Sequence, residues 1–177
     1  MTALVFGGAA SGKSGWAEDL ICALPRTGPL IYLATMEPWG GEAAARIGRH
    51  KALRAGKGFS CTVERPRDPA GWAPPAGSAV LLEDLGNLAA NELFSVESPD
   101  PEGACRRIQR GLDRLREGAG HLLVVSGDLF RDGVDYPPVT GAYLDLLARL
   151  HRDLAARADR VTELVCGLPV HWKGGEV

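Results

Sequence analysis

Four residues near the start of the chain, Gly7, Gly12, Lys13 and Ser14, stand in the spacing G-x-x-x-x-G-K-[ST], and only small residues (Gly8, Ala9, Ala10, Ser11) lie between them. A loop of such residues can curl until successive N–H groups point inward at phosphate oxygens, with the positive end of the following helix behind them. Lys13 then reaches the β- and γ-phosphates of a nucleoside triphosphate. The Ser14 hydroxyl suits Mg²⁺, a hard cation that keeps several waters and takes few protein ligands. The apolar run Leu4-Val5-Phe6 before the motif and the helical pattern after it supply the strand–loop–helix context that the chemistry requires. Residues 7–14 are therefore expected to bind phosphate, with Lys13 in a catalytic role.

A nucleotide held this way needs an acid near its metal. The run VLLEDLGN, residues 80–87, reads as a buried strand ending in two carboxylates, Glu83 and Asp84. Glu83, the first acid after the apolar run, is expected beside the metal with Ser14; Asp84 fits a helix N-terminus, where the dipole favours negative charge. A second strand, HLLVVSGD at residues 121–128, ends in Ser126 and Asp128 at the same edge, where they serve either a ligand or a local turn. In EAAARIGRHK, residues 42–51, Arg46 and His50 stand four apart, the spacing that puts two side chains on one helix face. Cations beside a histidine disfavour its protonation, as a nucleophile would need. The same pattern on a solvated surface would carry no chemistry.

The elements that must position these groups can be read from periodicity. β-like runs at about 3–6, 30–34, 60–64, 78–83, 121–126 and 160–166 alternate with helical patterns at about 13–24, 41–55, 86–95, 101–117 and 139–158. Such alternation predicts an α/β fold of three layers, of the P-loop NTPase kind, with a mainly parallel sheet and ligands beyond the carboxyl ends of the strands. The proline-bearing stretches at 66–77 and 95–102 read as loops rather than linkers, so residues 1–177 are expected to form a single P-loop nucleotide-binding domain.

Composition narrows the partners. The 20 Lys and Arg nearly balance the 22 Asp and Glu, which excludes a strongly basic nucleic-acid face or a polybasic membrane patch. Four cysteines, at 22, 61, 105 and 166, show no metal-ligand spacing and read as reduced thiols. No signal-type segment and no membrane-spanning apolar stretch is found, so a cytoplasmic enzyme acting on small molecules is expected.

In order and spacing, the opening strand with GGAASGKS, the LIYLAT run at 30–35, the E-x-x-x-R-I-x-x-H-[KR] block at 42–51, the strand ending at Glu83, Asn91 and the closing DLAARADRVTELVCGLPVHWK resemble the bifunctional adenosylcobinamide kinase / adenosylcobinamide-phosphate guanylyltransferase family. The resemblance implies two reactions, phosphorylation of adenosylcobinamide by ATP or GTP and transfer of GMP from GTP to the resulting phosphate. It further implies a covalent GMP–histidine intermediate on His50, with Lys13, Mg²⁺ and Arg46 or Arg49 offsetting phosphoryl charge, and a homo-oligomer, a trimer in the family. Where members carry two adjacent histidines, Arg49 replaces the first. Departures fall at Glu83 (commonly Asp), at residues 84–86, at residues 127–128 and 134–137, and at His151 (commonly Asn). They keep two other readings in view: a P-loop kinase or nucleotidyltransferase for another acceptor, and a GTP- or ATP-binding module without turnover.

Overall fold

The computed structural model describes residues 1–37, 48, 52, 54–95, 99–131 and 133–175. Seven strands form one sheet: β1 (Thr2–Gly7), β2 (Leu30–Ala34), β3 (Cys61–Glu64), β4 (Ala79–Glu83), β5 (His121–Gly127), β6 (Arg160–Val165) and β7 (Leu168–Lys173). Their order is β3-β2-β4-β5-β1-β6-β7; β7 is antiparallel to β6 and every other neighbouring pair is parallel. Four helices are described: α1 (Lys13–Ala23), α2 (Leu85–Leu93), α3 (Pro101–Gly118) and α4 (Pro138–Arg157).

Two apolar sets, alternating along the strands, sort the layers. Ala3, Val5, Leu30, Tyr32, Leu81, Leu123 and Val125 pack with Ala17 and Ile21 of α1 on one face. Leu4, Ile31, Leu33, Val80, Leu82, Leu122 and Val124 pack with α2, α3 and α4 on the other. Period-two alternation between two buried faces is what a central parallel strand requires, and it leaves these strands apolar throughout. The three-layer α/β architecture read from the sequence is thus the one observed.

The outer hairpin departs from that reading, because β7 was not anticipated. Its turn, Cys166–Gly167, has positive φ at both residues (51° and 85°). Such turns usually advertise themselves as Asn-Gly or Asp-Gly, and Cys-Gly gives little warning. Five of the six β7 residues are exposed, so the buried-strand signature is missing too. The expected helix at 41–55 falls largely outside the described residues, of which Gly48, Ala52 and Arg54 are helical. All four cysteines are free thiols. Among the described residues no helix is long and apolar enough to cross a membrane.

Candidate functional site

The glycine-rich loop expected to bind phosphate leaves β1 at Gly7 and enters α1 at Lys13. Glycine at position 7 is dictated by space: a Cβ there would lie 2.6 Å from the Leu164 carbonyl oxygen and 2.7 Å from Ser11 Oγ. Gly12 has φ 88° and caps α1 without a side-chain hydrogen bond, so no side chain competes for the helix's first N–H groups. Lys13 folds back so that its Nζ donates to the Gly8 carbonyl at 3.1 Å. The β6–β7 turn braces the loop from outside, Gly167 N donating to Ser11 O at 3.0 Å.

Ser14 and Glu83 meet at the mouth of this loop. Ser14 Oγ donates to Glu83 Oε1 at 2.6 Å. The meeting follows from strand alternation: Leu81 faces α1, so Glu83, two residues on, projects to the same side. Glu83 Oε2 is buried and has no hydrogen-bond partner. Burial pushes the Glu83 carboxyl up to about 7, with the Ser14 hydrogen bond opposing, Asp84 adding to the rise and Lys13 lowering it. An unpaired carboxylate oxygen beside a serine hydroxyl at a phosphate loop fits an oxygen-seeking cation that draws its other ligands from phosphate and water. Among the described residues no group of three or more His, Cys, Asp or Glu gathers to hold a metal without such a ligand.

Asp84 takes the other role foreseen for it. It caps α2, its carboxylate accepting from Asn87 N at 2.6 Å. A residue that the sequence reading passed over holds the corner: Thr35, fully buried, accepts at Oγ1 from Asp84 N (2.7 Å) and lies 3.0 and 2.8 Å from the carbonyl oxygens of Glu83 and Asp84. Asn91 ties the same region together by donating to the carbonyls of Thr35 (2.8 Å) and Pro66 (3.0 Å). The end of the LIYLAT run was the available signal, since a threonine closing a buried strand must spend its hydroxyl on some backbone group.

Ser126 and Asp128 go elsewhere. Ser126 is paired across the sheet with Phe6, and its Oγ lies 2.7 Å from His151 Nε2. His151 sits between the ring edges of Phe6 and Phe130, and burial drives its imidazole down to about 4 against the nearby Asp128 charge. Asp128 donates its backbone N–H to Gly7 O (2.9 Å), while its carboxylate holds Arg131 Nε at 2.8 Å. Arg131 also reaches Glu163 at 2.9 Å, and Glu163 accepts from Trp172 Nε1 at 3.0 Å. His151, Arg131, Glu163 and Trp172 border a cleft of about 300 Å³ on the face of the sheet opposite α1, apart from the Ser14–Glu83 pair. Arg46, Arg49 and His50 lie outside the described residues.

Comparison with known proteins places this arrangement. The family model described as "Cobinamide kinase / cobinamide phosphate guanyltransferase" matches residues 3–172. The bifunctional adenosylcobalamin biosynthesis protein CobP of Pseudomonas aeruginosa is 32% identical over 98% of this chain and 98% of its own length. The bifunctional adenosylcobalamin biosynthesis proteins CobU of Salmonella typhimurium and of Escherichia coli are 32% and 29% identical, each over 98% of this chain and 100% of their own. A whole-length match, with the glycine-rich motif folded between β1 and α1, makes this chain a member of the cobinamide kinase / cobinamide phosphate guanyltransferase family.

Proposed function

We propose that the chain, acting as one P-loop nucleotide-binding domain over residues 1–177, carries out both reactions of its family. It phosphorylates the hydroxyl of adenosylcobinamide with ATP or GTP, then transfers GMP from GTP to the product through a GMP–His50 intermediate. The observation that carries the reading is the phosphate loop with Ser14 and Glu83 joined at its mouth, in a chain that matches the family from end to end. Residues 7–14 bind the phosphates, and Lys13 stabilises the charge that develops on them. Ser14 and Glu83 would hold Mg²⁺, which supplies charge neutralisation to the phosphate chain. His50 serves as nucleophile, with Arg46 beside it, on the strength of the 42–51 sequence block. Family resemblance supports a homo-oligomer, a trimer, and the absence of a membrane-spanning helix among the described residues agrees with a cytoplasmic enzyme.

The test is direct. GTP labelled at the α-phosphate, with Mg²⁺ and no acceptor, should leave label on the protein through a phosphoramidate bond that acid cleaves and alkali spares. The label should vanish in His50→Ala and persist in His151→Ala, with cobinamide phosphorylation surviving in His50→Ala, because γ-phosphoryl transfer needs no histidine nucleophile. Phosphorylation of cobinamide without any label would leave a kinase alone. A kinase or nucleotidyltransferase for another acceptor is the second reading, favoured by Asp128, which follows β5 at the sheet's carboxyl edge and is committed to Arg131. GTP binding without either activity on a corrinoid would select it.

A further inference from the structure

Arg54 carries a charge that its surroundings leave unanswered. Its guanidinium lies over the ring of Tyr32, Cζ 3.4 Å from the centroid, and the residue keeps only 8% of its surface exposed. Nη1 is buried and has no hydrogen-bond acceptor. Among the described residues no carboxylate forms an ion pair with it, although Glu64 borders the same pocket and Glu83 Oε2 is unpaired. Glu18 and Asp19 hold Lys57 at 3.0 and 2.8 Å, and Glu83 Oε1 holds Ser14. A ring face returns part of what burying a guanidinium costs, and an unfilled buried donor is left over. Such a group is built to receive an anion.

Its position says which anion. Tyr32 lies on β2, on the face of the sheet that α1 covers, and β2 is separated from β1 and its phosphate loop by β4 and β5. The Tyr32 hydroxyl is raised first by burial and then by Glu83, with Arg54 opposing, so the ring stands near both the acid at the metal corner and the unpaired cation. Arg54 is also four residues beyond His50 in the chain. The two reactions need the triphosphate in two placements, since the kinase step presents the γ-phosphorus and guanylyl transfer presents the α-phosphorus.

We propose that Arg54 is a phosphate-binding residue of the guanylyl-transfer placement, gripping the β- and γ-phosphates of GTP while the kinase step proceeds without it. The inference rests on the reading of His50 as the guanylylated nucleophile. In that step the imidazole nitrogen forms a bond to the α-phosphorus and the bond from that phosphorus to the bridging oxygen breaks. Pyrophosphate leaves with the electron pair, and the imidazole's other proton passes to water. A guanidinium fork matches two oxygens of the departing pyrophosphate and becomes more useful as their charge grows.

The experiment follows acid-labile labelling by α-labelled GTP in wild type, Arg54→Gln and Arg54→Lys, with cobinamide phosphorylation by ATP measured in parallel. Arg54→Gln should label about 100-fold more slowly while its kinase rate falls less than about 3-fold, and added guanidinium ion should restore part of the labelling. Arg54→Lys, which keeps charge and loses the fork, should fall between. Wild-type labelling in either variant, or equal loss of both activities in a variant that remains folded by circular dichroism, would overturn the proposal. If wild type itself takes no label, the His50 reading fails, and calorimetric titration with inorganic pyrophosphate decides the role of Arg54. Binding weakened about 10-fold in Arg54→Gln supports it and unchanged binding overturns it.

Discussion

Ser14 Oγ and Glu83 Oε1 are 2.6 Å apart, so the first turn of α1 and the last residue of β4 share one hydrogen bond across 69 residues of sequence. That bond leaves the second Glu83 oxygen buried and unpaired. The site therefore contains a carboxylate that folding alone disfavours and that a bound cation would relieve.

A pH dependence follows. The Glu83 carboxyl is raised from its ordinary value of 4.5 to about 7, chiefly by burial. Below 4.5 it is protonated in both folded and unfolded chains; between 4.5 and 7 the unfolded chain releases the proton and the folded one retains it. Stability from this group should thus be full below 4.5 and decline as pH rises to 7, by on the order of 3 kcal/mol. Denaturant titrations in the absence of nucleotide should reveal the decline in wild type and its disappearance in Glu83→Gln. A Glu83→Gln protein with the same slope would assign the titration to another group.

Lys13→Ala should leave thermal stability nearly unchanged, because the side chain's hydrogen bond goes to the Gly8 carbonyl at the surface of the loop. Nucleotide affinity should fall at least about 100-fold, since a lysine on the β- and γ-phosphates supplies a positive charge and donors that alanine lacks. Calorimetric titration with GTP on the folded variant checks both halves of this expectation.

Thr35→Val keeps shape and deletes the hydroxyl that serves Asp84 N and the carbonyls of Glu83 and Asp84. The buried amide left unpaired should lower stability by about 1–3 kcal/mol. Because the same hydroxyl fixes the backbone that aims Glu83, Mg²⁺ dependence of the kinase rate should shift to higher concentration as well. A loss of stability with an unchanged Mg²⁺ profile would limit Thr35 to the fold.

His151 titrates with the opposite sign to Glu83. Its imidazole is lowered from 6.5 to about 4 by burial, so the unfolded chain binds the extra proton between those values while the folded chain refuses it. The stability associated with His151 is complete above 6.5 and drains away as pH falls through 4. His151→Asn, which removes the buried imidazole, should make the protein more resistant to acid below pH 6, measured as the pH of half-unfolding. Unchanged acid unfolding would show that Ser126 and the two phenylalanine edges hold the protonated ring equally well.

What could be read from sequence was what depends on neighbours along the chain. The loop at 7–14 is a local motif with a fixed backbone consequence, and six strands and four helices declare themselves by apolar period. The choice of Glu83 over Asp84 for the position beside Ser14 rests on its being the first acid after the apolar run, and the two carboxylates do separate, Glu83 to Ser14 and Asp84 to the α2 N-terminus. Arg54 stacked on Tyr32, the clamp of Thr35 and the pairing of Ser126 with His151 join residues 22, 49 and 25 positions apart, and nothing local marks such partners. Strand β7 escaped because it is mostly exposed and its turn lacks the usual residues.

The placement of β1 bears on how the protein reaches its working form. Gly7 is in register with Gly127 on one side and Leu164 on the other, and Gly167 braces the loop from beyond both. During synthesis β1 must therefore wait, unpaired and apolar, for partners made well over a hundred residues later. At elongation rates of about 5–20 residues per second that interval lasts roughly 6 to 30 seconds, long enough for a chaperone to engage the strand. Nucleotide-binding competence should then appear as one of the last events of folding, with the docking of the final hairpin, rather than with the loop that carries the motif.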